Sequence, residues 1–331
     1  MTHQKIDKIA IVRLSALGDI VNSSVVLQFI NQNYPNAKID WITEEVFAPL
    51  LTWHPLINNV HTINLKKIKK SKKLSEVFET ISKLKNLGTY DLVIDMQGLI
   101  KSAIVTKLIS KNTHGFDKNS SREGISSFFY TSTSSISYDA NVIKRNCFVV
   151  SDALDFEITD KMLLTKQAVF PTGSKSNSGK IAIVIGASWK SKKYPKEKMA
   201  QLCDMLQKEC IIIWGNDEEK NEAIWIEENS SYAKVAPSFS LTELVEFISS
   251  VDMLIGNDTG PTHMAWAQNI PSITLFGPTT SRMIYETPIN KSIKSPSQVD
   301  INKIDKNDFS ISEIKVDEVY NMAKGLLDNG I

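Results

Sequence analysis

Only three cysteines occur in 331 residues, Cys147, Cys203 and Cys210, and none is spaced from another as metal-ligand pairs are. A disulfide framework and a thiolate metal site are thereby set aside, and the thiols read as reduced core groups of a cytosolic protein. Long apolar runs are also missing. Residues 1–8 are polar and the run 9–12 is broken at Arg13, so neither a signal peptide nor a membrane span is expected. Any membrane contact would be made from the surface. The formal net charge is +1, which argues against a strongly basic nucleic-acid binder. Glycine is sparse where a dinucleotide fold needs it: the first strand is followed by the single Gly18 instead of Gly-x-Gly-x-x-Gly, so a nicotinamide-dependent oxidoreductase ranks low.

What is present is an ordinary globular composition, 42% hydrophobic and 23% charged, in a chain long enough for two domains with separate cores. Apolar strand patterns at residues 8–14, 39–43, 60–63 and 92–95 alternate with helical spacing at 20–30, 74–87 and 99–109, which specifies a parallel sheet covered by helices. Residues 120–138, rich in Ser, Thr and aromatics without a period, read as a long loop, and 141–156 as a helix carrying Lys144 and Arg145. A polar Pro/Gly/Ser stretch at 170–179 suits a linker. The predicted domains are therefore 1–170 and 171–331, and the pattern leaves open whether the terminal helix, 316–327, packs back on the first. The second series runs strand 181–185, helix 197–206, strand 211–214, helix 218–226 and helix 241–249, the last with a capping box from Ser240 and Glu243. No internal repeat stands out.

The stretch that organises the chain is Val251 to Pro278. Met253, Leu254 and Ile255 run into Gly256, then Asp258-Thr259-Gly260-Pro261-Thr262-His263 opens a helix, and an apolar run, 273–276, closes a strand–helix–strand unit. The first turn of such a helix offers unpaired N–H groups at the carboxyl edge of a parallel sheet, and Gly260 lets a ligand approach closely. A diphosphate suits that place. Two open parallel-sheet domains facing across a cleft would bring such turns together.

Four segments carry a family resemblance: Arg13-Leu14-Ser15-Ala16-Leu17-Gly18-Asp19; Asp40-Trp41-Ile42-Thr43-Glu44-Glu45 with Trp53-His54-Pro55; Tyr90 to Leu99 with Lys101-Ser102-Ala103; and the stretch 251–278. On these the chain resembles the GT-B enzymes of glycosyltransferase family 9. The middle segments favour the type that adds the first heptose. The resemblance implies two Rossmann-like domains, acceptor-binding first and donor-binding second. It implies inverting transfer of L-glycero-D-manno-heptose from ADP-heptose to the Kdo sugar of lipid A in lipopolysaccharide or lipooligosaccharide inner-core synthesis. It also implies a cytoplasmic enzyme peripheral to the anionic inner face of the bacterial inner membrane, with no nucleic-acid partner. Transfer of a later heptose or from another nucleotide sugar, or silent sugar-nucleotide binding, are the alternatives.

Inversion by direct displacement needs a base on the acceptor hydroxyl and stabilisation of the departing diphosphate. Asp19 matches the base; it sits where a helix cap would also place an Asp. Lys192 matches the phosphate-contacting lysine, with Lys190 and Lys193 as competitors and Ser188 in the turn after strand 181–185 as a further donor. Thr259 and Gly260 would hold the diphosphate, Asp258 would face the heptose hydroxyls, and His263 would orient the loop; capping is the plainer reading of Asp258 and Thr259. Glu219 is chosen for the ribose, with Asp217 and Glu222 open. The run containing Lys66, Lys67, Lys69 and Lys70 is read as a loop that is either solvated or anion-attracting, with Arg122 and Arg145 in the same acceptor region. The chain has no Asp-x-Asp element to hold a divalent ion against a diphosphate, so the expectation is transfer without metal or cofactor. Where the family often has a proline a few residues after the first-motif Asp, this chain has Asn22-Ser23-Ser24-Val25-Val26.

Overall fold

The computed structural model describes residues 6–71, 73–173, 178–301 and 303–328. The chain divides into two compact units, Met1–Val169 and Phe170–Ile331. Residues 174–177 of the expected linker, and Lys72 of the lysine run, lie outside the described residues.

In the first unit β1 (Lys8–Val12) is followed by α1 (Leu17–Ser24), α2 (Val26–Asn33), β2 (Lys38–Glu44), α3 (Ala48–Leu51) and β3 (Asn59–Ile63). Then come α4 (Leu65–Ser71), α5 (Leu74–Lys85), β4 (Leu92–Asp95), α6 (Ile100–Ile109), β5 (Thr113–Phe116), β6 (Ser132–Ser134), α7 (Val142–Leu154) and α8 (Asp160–Leu164). The six strands lie in the order β3-β2-β1-β4-β5-β6, every pair parallel. The second unit runs β7 (Lys180–Val184), α9 (Lys196–Leu206), β8 (Glu209–Ile213), α10 (Asp217–Glu228), β9 (Ala233–Val235), α11 (Leu241–Ser250) and β10 (Met253–Asn257). It ends with α12 (Gly260–Ala267), β11 (Ser272–Phe276), β12 (Asn290–Lys294) and α13 (Val316–Asp328). Its sheet, β12-β11-β10-β7-β8-β9, has the same order when counted from its own first strand. That is the doubly wound, Rossmann order.

The two founding strands, β1 and β7, are both Lys-Ile-Ala-Ile-Val. A central parallel strand is covered on both faces, so it needs an unbroken apolar run, and Ile9 to Val12 are indeed fully buried. The topology therefore repeats although the rest of the sequence does not. In each sheet the connections reverse direction between the first and fourth strands, which leaves a crevice at their carboxyl ends. At that point in the second unit β10 comes so close to β7 that a Cβ on Gly256 would stand 2.5 Å from Val184 Cβ and 2.8 Å from its carbonyl oxygen.

Four strands differ from the expectation. β6 and β9 have only three residues and β12 is mostly polar, reading Ser-Thr-Ser, Ala-Lys-Val and Asn-Lys-Ser-Ile-Lys, and all three sit at sheet edges, where no apolar run is required. β5 is held to β6 through His114, whose ring nitrogens bond Ser132 Oγ and Ser134 Oγ at 2.8 and 2.7 Å. The helix expected over 20–30 is two helices broken at Val25. Ser23 and Ser24 donate their hydroxyls to the carbonyls of Asp19 and Ile20 one turn back, at 2.6 and 2.8 Å, a pattern that bends helices. The terminal helix α13 buries Val316, Val319, Ala323 and Leu326 in the core of the second unit.

Candidate active site

In the second unit the chain leaves β7 through Gly186, Ala187 and Ser188 into a 3-10 turn, Lys190–Lys192. This turn delivers the Lys192 ammonium to 2.7 Å from Asp258 Oδ2, with the two side chains only 9% and 4% exposed. Thr279 Oγ1 donates to the same oxygen at 2.9 Å. His263 Nε2 stands 3.2 Å from Oδ1. Burial alone would raise the Asp258 pKa, but the hydrogen bond with His263 and the charge of Lys192 outweigh it and hold the carboxyl well below its ordinary range. An ammonium this deep survives because it is paired.

Asn257, fully buried, ties the two central strands at this edge. Its amide donates to the Ile185 and Gly186 carbonyls at 2.8 and 3.3 Å. Its oxygen accepts from Tyr194 N–H at 3.0 Å, and its backbone carbonyl accepts from Thr262 Oγ1 at 2.7 Å. Thr259 occupies the N-cap position of α12 without a side-chain cap bond, and Gly260 is the first helical residue. Three buried polar atoms here, Trp189 Nε1, Ser191 Oγ and His263 Nδ1, have no hydrogen-bond partner among the described residues. Lys192 Nζ lies 4.9 Å from the Trp189 ring centre and Lys306 Nζ 5.3 Å from it.

Of the three ribose candidates, Asp217 is exposed and Glu222 is ion-paired with Lys193 at 3.1 Å. Glu219 alone is buried at the strand ends. Its Oε2 accepts Gly215 N–H at 2.8 Å and would lie 2.7 Å from a Cβ on Gly186, so a larger residue there would push the carboxylate aside. Ser188 is exposed, as is Lys190.

In the first unit Asp19 lies in the first turn of α1. Its Oδ1 is 2.7 Å from Arg13 Nη2, and its Oδ2 accepts Ala16 N–H at 3.1 Å, so the carboxylate braces its own helix start while its side chain remains 28% exposed. Arg13, 7% exposed, is anchored by a hydrogen bond from Nη1 to the Met96 carbonyl. Lys101, on α6, reaches Ser15 Oγ at 3.2 Å and Glu44 at 3.6 Å. Gln97 Oε1 accepts Leu14 N–H at 2.9 Å. The ends of β1, β2 and β4 are thus linked around Asp19 by polar side chains.

Three expectations need correction. Asp258, expected to face sugar hydroxyls, directs its oxygens to Lys192, Thr279 and His263. Lys66, Lys67, Lys69 and Lys70 are exposed, but on the helix α4, not on a loop. Arg145 is no surface cation: it is 6% exposed, donates to the carbonyls of Ile136, Ser137 and Ser120 at 3.2, 2.6 and 2.5 Å, and lies over the Phe116 ring. It pins the segment read as a loop. Arg122 is exposed. In the second segment of the family pattern, Trp41 is core and Asp40 is buried under Asn58, His61 and Tyr90, while Glu44 reaches the polar edge.

Arg13, Lys101, Asn257 and Thr279 were not singled out from sequence as functional. Asn257 had a signal, a polar residue continuing a buried strand; Thr279 had none, because its partner lies 21 positions away. Among the described residues no group of three or more His, Cys, Asp or Glu side chains is placed to hold a metal ion.

The family model for glycosyltransferase family 9 (heptosyltransferase) matches residues 78–311, well over half of the chain. The chain belongs to glycosyltransferase family 9. One relative, lipopolysaccharide heptosyltransferase 1 of Campylobacter coli, is 40% identical over 96% of this chain and 98% of its own. The protein of that name from Escherichia coli K12 is 27% identical over 90% of this chain and 99% of its own. The structure of E. coli heptosyltransferase WaaC with ADP-2-deoxy-2-fluoro heptose superposes with a TM-score of 0.80 at 23% identity, covering 96% of this chain and 99% of that one. This family 9 member is a glycosyltransferase with two Rossmann-like α/β units of the GT-B type.

Proposed function

We propose that this family 9 enzyme transfers L-glycero-D-manno-heptose from ADP-heptose to a Kdo hydroxyl of a lipid A precursor, with inversion at the anomeric carbon. The acceptor oxygen attacks C1 of the heptose, the bond from C1 to the phosphate oxygen breaks, ADP leaves, and the hydroxyl proton passes to Asp19. The observation that carries this reading is the buried Lys192 ammonium fixed by Asp258 at the reversal point of the second sheet. In this reading its fixed positive charge meets the negative charge that gathers on the leaving diphosphate, with no reorganisation needed during the reaction.

In this reading Thr259, the N–H groups opening α12, and Ser188 contact the diphosphate, Glu219 takes the ribose hydroxyls, and Asp258 and His263 hold the lysine. Lysine supplies the charge, so transfer proceeds without a divalent ion. The exposed lysines of α4 and Arg122 draw in the phosphates and carboxylates of the acceptor. No helix among the described residues is long and apolar enough to cross a membrane. Peripheral attachment to the cytoplasmic face of the inner membrane is the corresponding localisation.

The test is to offer ADP-heptose and Kdo-lipid A to the purified protein with and without chelator. Heptosylated product in both arms is expected; product only after a divalent ion is added overturns the metal-free mechanism. An acceptor already bearing one heptose is the control, and preferential extension of that molecule would move the activity to a later step.

A further inference from the structure

The first unit carries an unusual concentration of exposed apolar side chains beside its lysines. Phe128 is 78% exposed, Leu74 72%, Phe78 67%, Ile125 62% and Val46 58%. A scattered exposed leucine needs no explanation, but five large apolar groups on neighbouring elements do.

Their placement follows from the fold. Val46 lies in the 3-10 turn Glu45–Phe47 after β2, and Glu45 Oε2 accepts from Asn64 at 2.8 Å, directly before α4. Leu74 is the first residue of α5 and Phe78 lies one turn on, on the same face. Ser71, ending α4, bonds Glu76 at 2.7 Å, so the lysine helix abuts that turn. Ile125 and Phe128 lie on the 3-10 turn Gly124–Phe129, whose neighbour Glu123 accepts the Ile100 N–H that opens α6 at 2.8 Å. These anchor points follow the carboxyl ends of β2, β3, β4 and β5, the edge of the first sheet where Asp19 follows β1.

The charge beside them has one dominant sign. Described residues 65–85 hold seven lysines against two glutamates, and one of those, Glu76, is bonded to Ser71. Exposed Phe and Leu at the same sheet edge as a lysine-rich helix match the boundary of an anionic bilayer, where rings enter among the acyl chains and ammonium groups stay with the phosphates.

The geometry points to this rim, Val46, Leu74, Phe78, Ile125 and Phe128 with α4, as the docking face for an anionic phospholipid surface, independent of any acceptor molecule. It deepens the peripheral attachment proposed above by assigning the face and by making insertion, not charge alone, the anchor.

The full chain is floated with vesicles of phosphatidylcholine alone and of phosphatidylcholine with phosphatidylglycerol, at about 0.1 M and about 0.5 M salt, the screening length falling more than twofold between them. Binding to the mixed vesicles is expected, weakened but not abolished by salt. The F78S/F128S variant is expected to lose about tenfold per ring, the scale of removing one large apolar group from a buried position. ADP affinity, read by calorimetry on the same samples, is expected to be unchanged, which verifies the fold and separates this test from the transferase reading. Equal vesicle binding by variant and parent overturns the proposal, as does binding that 0.5 M salt abolishes entirely. It is also overturned if the parent self-associates without lipid and the variant does not, because the face would then join two copies of the chain.

Discussion

The pairing of Lys192 with Asp258 predicts an asymmetry that a merely polar surface pair would not show. In Asp258→Asn the buried ammonium, 9% exposed, loses the carboxylate paired with it. Removing one member of such a pair typically costs about 3–5 kcal/mol, because the remaining charge is left uncompensated. For a unit of this size that is roughly a 10 °C fall in the melting temperature of its transition. Lys192→Met should cost less, because Asp258 retains Thr279 at 2.9 Å and His263 at 3.2 Å. The double variant, with neither buried charge, should regain about 2 kcal/mol over the sum of the single changes, the coupling expected of directly contacting residues. Urea unfolding, followed through the second unit's transition, measures all four corners of the cycle, and ADP titration adds a functional axis on which every variant should weaken. The reasoning fails if Asp258→Asn costs less than about 1 kcal/mol, or if the two single effects simply add.

The same carboxyl sets a pH dependence. Its folded pKa lies below the unfolded value of about 3.9, so the unfolded chain binds the extra proton; the contribution is complete above about pH 5 and is lost as pH falls through the folded value. Acid unfolding of the Lys192→Met/Asp258→Asn variant should accordingly be flatter below about pH 4 than that of the parent. Asp19→Asn should lower turnover by about 10²–10⁴ while ADP affinity stays within error, and an unchanged rate would remove Asp19 as the base. Arg145→Ala removes three hydrogen bonds to carbonyls and should destabilise the first unit by about 3 kcal/mol without touching ADP binding; a loss confined to acceptor affinity would restore its expected surface role. Gly256→Ala forces a methyl group to within 2.5 Å of Val184 and should cost about 1–3 kcal/mol in the second unit's transition, where a neutral result would mean that β7 can shift.

What could be read from the chain beforehand follows a physical division. Apolar runs that must be covered on both faces are visible as runs, so β1, β4, β7, β10 and β11 were legible from residues alone. Three of the four edge strands, β6, β9 and β12, escape because one side of an edge backbone faces water and its side chains need fill no core, as in Ser132–Ser134, whereas β3 shows through Val60 and Ile63. The break at Val25 escaped for a different reason: two serine hydroxyls bending a helix leave no mark in hydrophobic spacing. In the site, the strand–turn–helix pattern pointed to Thr259 at the start of α12, while Asp19 and Lys192 came from the family resemblance. What those residues touch could not be read. Arg145 and Lys192 are both basic residues in polar surroundings by sequence, yet one is closed into a loop's carbonyls and the other into a carboxylate at a strand end.

The repeated topology sharpens that distinction. Both sheets begin with Lys-Ile-Ala-Ile-Val and both reverse direction beside that strand, so the backbone offers the same edge twice. In the first unit the edge presents Asp19, partly exposed and braced by Arg13; in the second it presents Lys192, buried and braced by Asp258. Each of these charged groups is held by an opposite charge from the same unit, and the signs are reversed between the two. In the proposed mechanism the carboxylate is the proton acceptor and the ammonium meets the departing phosphate, which puts the division of labour in the side chains that follow two equivalent strands, not in the strands themselves. A fold-preserving exchange that converts the Arg13–Asp19 edge into a second lysine edge should therefore leave the first sheet folded and donor binding intact while removing transfer.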